Sequence, residues 1–354
     1  MTRKKWVAIA TIAAASAALL SGCSGSGSDG ASSSSDAGSD ISELKFGYFP
    51  NFTHAPAIVM LKEGFLQDEL GDDVTITPVT FDSGTEAIEG LFGEAVDVTY
   101  IGPNPTITGY TQSDGAALRV IAGAASGGAG LVVRDGIDSV EDLEGTTLAT
   151  PSLGNTQDVA LRYWLQENGY ETDTDGGGDV HIQPQDNSTA LTAFENGDID
   201  GAWVPEPWLT RMVAEGDGHI LVNESDLWED GQFVVTNLIS ATSFLDEHEG
   251  VVEKILAAEI EAIQWMQDNP EEAQTVVNEG IAEITGSSMD ESELATAWDN
   301  IEFTFDPLPD TLLESAEHAE AVGLLDDADL DGLYDLDPLN AQLTAAGLDT
   351  VDAP

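Results

Sequence analysis

The chain has 354 residues, with 66 Asp and Glu against 10 Lys and Arg, a formal charge of −56 and a pI near 4.1. So few cations cannot neutralise phosphates, which excludes a nucleic-acid binder. Disorder is excluded too, because 42% of the residues are hydrophobic and 7 Trp, 11 Phe and 6 Tyr supply a core.

Arg3, Lys4 and Lys5 precede an apolar run from Trp6 to Leu20 that ends in Leu20-Ser21-Gly22-Cys23. Positive charge, a short apolar core and small residues predict a secretory signal peptide over 1–22, too short to remain as a spanning helix. The segment resembles a lipobox, in which the thiol of Cys23 takes a diacylglyceryl group and becomes the new N-terminus. Cys23 is the only cysteine, which excludes disulfides and Cys-rich metal sites. Cleavage before it would remove three basic residues and no acid, taking the formal charge to −59. Residues 23–40 are almost entirely Ser, Gly, Asp and Ala, a composition that makes a flexible tether. The expectation is a protein on the outer face of the cell membrane, held there by its lipid alone.

From Ile41 short β-rich runs alternate with helical stretches. Strands are predicted over 44–49, 74–81, 96–101 and 118–124, with helices over 54–65, 85–92 and 106–112 between them. The rhythm restarts at 131–134, with strands over 147–149, 180–182 and 199–204 and helices over 156–168, 189–196 and 208–214. After a strand over 233–236 the pattern turns to helices alone, over 249–267, 270–284, 291–298 and 310–322. Such alternation predicts an α/β protein of parallel sheets covered by helices, and the length predicts about two domains. We expect lobe 1 from 41–132 and 236–354 and lobe 2 from 133–235. A hinge of two segments, near Leu131 and Val235, would join them, and the final helices would cover lobe 1. The cleft between lobes is then the default ligand site.

Five segments carry a family resemblance: Gly47-Tyr48-Phe49-Pro50-Asn51-Phe52-Thr53-His54-Ala55, Tyr100-Ile101-Gly102-Pro103-Asn104-Pro105, Gly123 to Gly128, Thr150 to Asp158, and Gly201 to Trp208. In this order, behind a lipobox, they resemble the nitrate/sulfonate/taurine group of ABC-transporter substrate-binding lipoproteins. The resemblance implies a type II periplasmic-binding-protein fold that closes on a small anion or zwitterion and delivers it to a permease and its ATPase. It also implies a monomer without catalysis or cofactor.

The residues point to the same site. Each motif follows a predicted strand and enters a helix, where free N–H groups and the positive end of the helix dipole suit an oxyanion. Such donors are needed, because Arg119, Arg134, Arg162 and Arg211 are the only guanidinium groups beyond the predicted signal peptide. Asn155 is placed to cap a helix, with Gly154, Thr156 and Gln157 beside it facing a ligand. Ser126, Gly127 and Gly128 could bring backbone N–H groups against an anion. Pro103 suits a first helical turn and holds Asn104 at the cleft mouth. The aromatics Tyr48 and Phe49 could line the pocket, with Asn51 and His54 as further candidates. In the second half, Trp203 could pack on an alkyl chain, and Glu206, held between two prolines, could accept bonds from the ammonium of a taurine-like zwitterion.

No metal site is expected. Asp327-Ala328-Asp329-Leu330-Asp331-Gly332 matches half of an EF-hand loop, but Pro338 stands where the bidentate Glu is required. The five His residues show no metal-like spacing, and there is neither a Gly-x-Ser-x-Gly elbow nor a His-Glu-x-x-His helix. These absences disfavour a secreted hydrolase. A same-fold receptor for a pyrimidine or thiamine precursor is the other alternative.

Overall fold

The computed structural model describes residues 41–354. The predicted signal peptide, the predicted tether and Cys23 lie outside the described residues.

The first part of the chain builds β1 (Glu43–Tyr48), α1 (Ala55–Lys62), α2 (Phe65–Leu70), β2 (Thr75–Thr80), α3 (Gly84–Phe92), β3 (Val98–Ile101), α4 (Pro103–Gln112) and β4 (Leu118–Gly127). Next come β5 (Ala129–Val133), β6 (Thr147–Thr150), α5 (Thr156–Glu167), β7 (His181–Pro184), α6 (Asn187–Asn196), β8 (Gly201–Pro205), α7 (Trp208–Ala214) and β9 (His219–Asn223). The remainder holds β10 (Val234–Ala241), α8 (Thr242–Glu247), α9 (Glu249–Asp268), α10 (Pro270–Thr285), α11 (Glu291–Asp299), β11 (Ile301–Phe303), α12 (Pro309–Ala321) and α13 (Asp337–Ala346).

These strands form two sheets, ordered β2-β1-β3-β10-β4-β11 and β7-β6-β8-β5-β9. Parallel pairing joins β1 to β2 and β3, and β6 to β7 and β8. The expectation of wholly parallel sheets is corrected here. β10 runs antiparallel to β3 and β4, β11 antiparallel to β4, and β5 antiparallel to β8 and β9. These antiparallel strands carry the chain between sheets: β4 ends in the first, β5 opens the second, and β10 returns after β9.

Both sheets are covered on both faces, which is why β3, β4, β5 and β8 are nearly continuous runs of buried residues. One face of the first sheet packs against α1, α2 and the long α9, and the other against α3, α4 and α12. Two smaller cores flank the second sheet. Close approach of β1 to β3 depends on Gly47, where a Cβ would stand 2.4 Å from Thr99 Oγ1. The pairing of Tyr48 with Thr80 brings the carboxyl ends of β1 and β2 level, so the loops that follow them rise side by side. No helix among the described residues is long and apolar enough to cross a membrane.

Candidate functional site

The carboxyl ends of the parallel strands of both sheets meet around one small cavity of about 20 Å³. Phe49, Asn51, Thr53 and His54 follow β1, Asp82 follows β2, and Gly102 follows β3. From the second sheet, Pro151, Asn155, Thr156 and Gln157 follow β6, Asn187 follows β7, and Pro205 ends β8. This is the position in which parallel α/β sheets hold ligands. A wider groove of about 440 Å³ opens outward and shares Phe49, Asn51, Asp82 and Asn187 with the inner cavity.

One wall of the inner cavity is the turn from β6 into α5. Asn155 caps the helix, its Oδ1 accepting from Thr156 N at 2.6 Å. Beneath it the fully buried Asp158 accepts from Thr150 Oγ1 at 2.8 Å, from Gly154 N at 2.9 Å and from Arg162 Nε at 2.9 Å. One carboxylate thus ties together the strand end, the turn and the helix. Thr156 then lies at the first turn of α5, where N–H groups have no partner further back in the helix. Its hydroxyl is buried without a hydrogen-bond partner. Gly102 makes room for that hydroxyl, because a Cβ there would stand 2.5 Å from Thr156 Oγ1.

Across the cavity His54 is buried, stacked on Phe49 with ring centroids 4.5 Å apart, and Nδ1 accepts from Phe49 N at 3.3 Å. Burial lowers its pKa to about 3, so the ring is neutral at physiological pH. With Nδ1 accepting, the proton sits on Nε2, and His54 offers the site a neutral donor. Asn51 is held by Trp208 Nε1, which donates to its Oδ1 at 3.1 Å and links the two sheet assemblies. Asn187 is 8% exposed, and its Oδ1 has no partner.

None of the four arginines among the described residues is committed to the inner cavity. Arg119 donates to the carbonyls of Gly115 and Leu118, Arg134 faces Asp200 at 3.2 Å, Arg162 is paired with Asp158, and Arg211 with Glu215 at 2.6 Å. The polar groups of the inner cavity are therefore amides, hydroxyls, one neutral imidazole and helix ends, with Asp82 as its one carboxylate.

Of the residues named from the sequence, Asn51, His54, Asn155, Thr156 and Gln157 line this one cavity. Phe49 lines it too, beside His54, whereas Pro103, Asn104, Ser126, Gly127, Gly128, Gly154, Trp203 and Glu206 do not line this cavity. Asn104 donates from Nδ2 to Ser315 O, and Pro103 is packed in the same first turn of α4. Ser126 Oγ accepts from Phe233 N, Gly127 N donates to Phe233 O, and Gly128 O accepts from Glu206 N. Gly154 spends its N–H on Asp158. Trp203 is wholly buried and donates to Glu224 Oε2 at 2.7 Å. Glu206 is also wholly buried, its carboxylate accepting from Thr210 N, Thr210 Oγ1 and Asn300 Nδ2. Those three bonds use it as a clamp between β8, α7 and the end of α11. Sequence reasoning passed over Asp82 and Asn187, although both stand just beyond parallel strands. Among the described residues no group of three or more His, Cys, Asp or Glu is arranged to hold a metal ion.

The family model that matches residues 37–280 is that of the NMT1-like family. The chain is 26% identical over 262 residues to the putative aliphatic sulfonates-binding protein of Bacillus subtilis (strain 168), an alignment covering 72% of this chain and 73% of that protein. Among solved structures, the alkanesulfonate-binding protein SsuA from Xanthomonas axonopodis pv. citri bound to MOPS superposes with a TM-score of 0.68 at 17% identity, over 81% of this chain and 95% of that one. The periplasmic nitrate-binding protein NrtA from Synechocystis PCC 6803 gives 0.70 at 18% identity, over 87% of this chain and 89% of that one. These likenesses show a periplasmic-binding-protein fold. With the matched family model spanning most of its length, the chain is a member of the NMT1-like family.

Proposed function

We propose that this protein is the extracytoplasmic solute-binding component of an ABC importer, lipidated at Cys23 and tethered through 23–40. It captures a small oxyanion or zwitterion, of the aliphatic sulfonate, taurine or nitrate kind, between lobes 41–132 with 236–354 and 133–235, and delivers it to the permease. The observation that carries this reading is the buried, unpartnered Thr156 hydroxyl at the N-terminus of α5, in a cavity walled by Asn51, His54, Asn155 and Gln157. An orphaned donor beside a helix N-terminus is costly unless it meets an acceptor, and an oxyanion supplies one. The relatives and fold neighbours are named as binding proteins, which supports binding over catalysis. Sulfonate- and nitrate-binding names among the relatives and fold neighbours support the solute class.

A volume of about 20 Å³ is near that of one water, so a sulfonate enters as the facing loops part. The contacts that would lengthen are Trp208 to Asn51 and Asn300 to Glu206. The dense acids on exposed segments such as 171–173 and 326–331 support a surface kept hydrated in high salt.

Titration of taurine, an alkanesulfonate and nitrate, followed by tryptophan fluorescence, tests the reading. At least one should saturate and be recovered unchanged. Thr156→Val should weaken that solute about tenfold or more, the worth of a hydrogen bond to a charged group, while leaving the melting temperature in place. Absence of binding by all three, or turnover of any, overturns it.

A further inference from the structure

The polar groups are graded along the cleft. Thr156, 5% exposed with an unpartnered hydroxyl, lines only the inner cavity. Asp82 and Asn187 line both the inner cavity and the outer groove, and Asp186 lines the groove just outside them. Asp82 belongs to the loop after β2 and Asp186 to the loop after β7, so the two carboxylates converge from opposite sheets. Partial burial, then Glu86, then Asp186 itself raise the Asp82 carboxyl above its ordinary value. Asp186 stands at the N-cap of α6 without using its side chain to cap it. The adjoining Asn187 Oδ1 is nine-tenths buried and lacks a donor. Among the residues lining either space, Arg211 is the one permanent cation, and it is occupied by Glu215 and stacked 5.0 Å over Trp208.

We infer that Asp82, Asp186 and the amide oxygen of Asn187 form an ammonium-recognising subsite at the neck of the cleft, so that the preferred solute is an amino-substituted oxyanion with its anionic end inward. The inference rests on the solute-binding reading above and names the chemical class within it. A bare anion brings one more negative charge to a neck already lined by carboxylates, whereas a zwitterion brings the missing cation with it. The amide oxygen completes the shell, because an ammonium carries three donors. Both aspartates are exposed, so the preference is screened and weakens as salt rises.

Calorimetric titration of the purified full chain with aminoethanesulfonate and ethanesulfonate, at low and at molar salt, tests this. The two probes differ only in the ammonium. Wild type should favour aminoethanesulfonate by about tenfold or more at low salt. Asp82→Asn and Asp186→Asn should each reduce that ratio several-fold while leaving ethanesulfonate unchanged or tighter. Both sites are exposed, so the variants should melt with wild type. Equal affinity of wild type for the two sulfonates, or an unaltered ratio in both variants, overturns the subsite. If neither sulfonate nor nitrate binds at all, the solute-binding reading itself fails, which is a different result.

Discussion

Glu259 shows how much one buried group can set. It is wholly buried on α9, accepts from Tyr100 Oη at 2.7 Å, and has no partner for its other oxygen. Burial drives its pKa to about 8 against a small opposing effect of the Tyr100 bond, so the fold holds it protonated at neutral pH. A carboxyl with a raised folded-state pKa stabilises fully below its unfolded value of 4.5 and loses that contribution as pH climbs to about 8. Glu259→Gln keeps the shape and removes the proton, so wild type should lose stability relative to the variant across that window, by an amount on the order of a few kcal/mol. Denaturant melts of both proteins at several pH values would show it, and parallel curves would refute it. Glu224, raised to about 7 by burial against Trp203, leaves the variant a smaller slope of the same sign. Burial of this kind was invisible in the sequence, where Glu259 is one acid among 66.

At the scale of elements, the turn from β6 into α5 was the most legible part of the site. Gly154, Asn155 and an apolar-periodic run announce a capped helix, and α5 begins at the predicted Thr156. What holds the turn was not legible, because Asp158 and Arg162 at i,i+4 look like an ordinary surface pair until burial is known. Asp158→Asn leaves Arg162 charged and buried without its counter-ion, so the protein should lose about 3 kcal/mol and bind its solute more weakly. Chemical denaturation and a titration on the same sample measure both, and an unchanged affinity in a folded variant would detach the network from the site. Several elements gave no usable signal. β9 alternates only partly and β11 spans three residues, while α8 and α13 lie against acid-rich stretches whose pattern reads as loop. β10 was visible as a strand, but its antiparallel direction depends on partners more than a hundred residues earlier.

For the molecule as a whole, 66 acids set against 10 bases make self-repulsion a standing cost of compactness. Few of those acids are inside: Asp158, Glu206, Glu224 and Glu259 are the buried ones among the described residues. The rest repel one another through solvent, where the screening length falls from about 10 Å at 0.1 M to about 3 Å at 1 M. The melting temperature should therefore rise on moving from low to molar potassium chloride, and scanning calorimetry in the two would find it. A flat or falling value would mean that surface repulsion does not limit stability.

Local chemistry determined the rhythm of strands and helices, the capped entry to α5 and the motifs that enclose Asn51, His54 and Asn155, since periodicity, caps and turns act within a few residues. Strand direction, and which of the candidate residues share one cavity, were decided only by tertiary structure. Glu206 shows the reason, because its motif sits at the right strand end while its carboxylate turns to Asn300, 94 residues away. Asp82 and Asn187 show the converse: each is unremarked in its own segment, and they meet only where two sheets bring their carboxyl ends together.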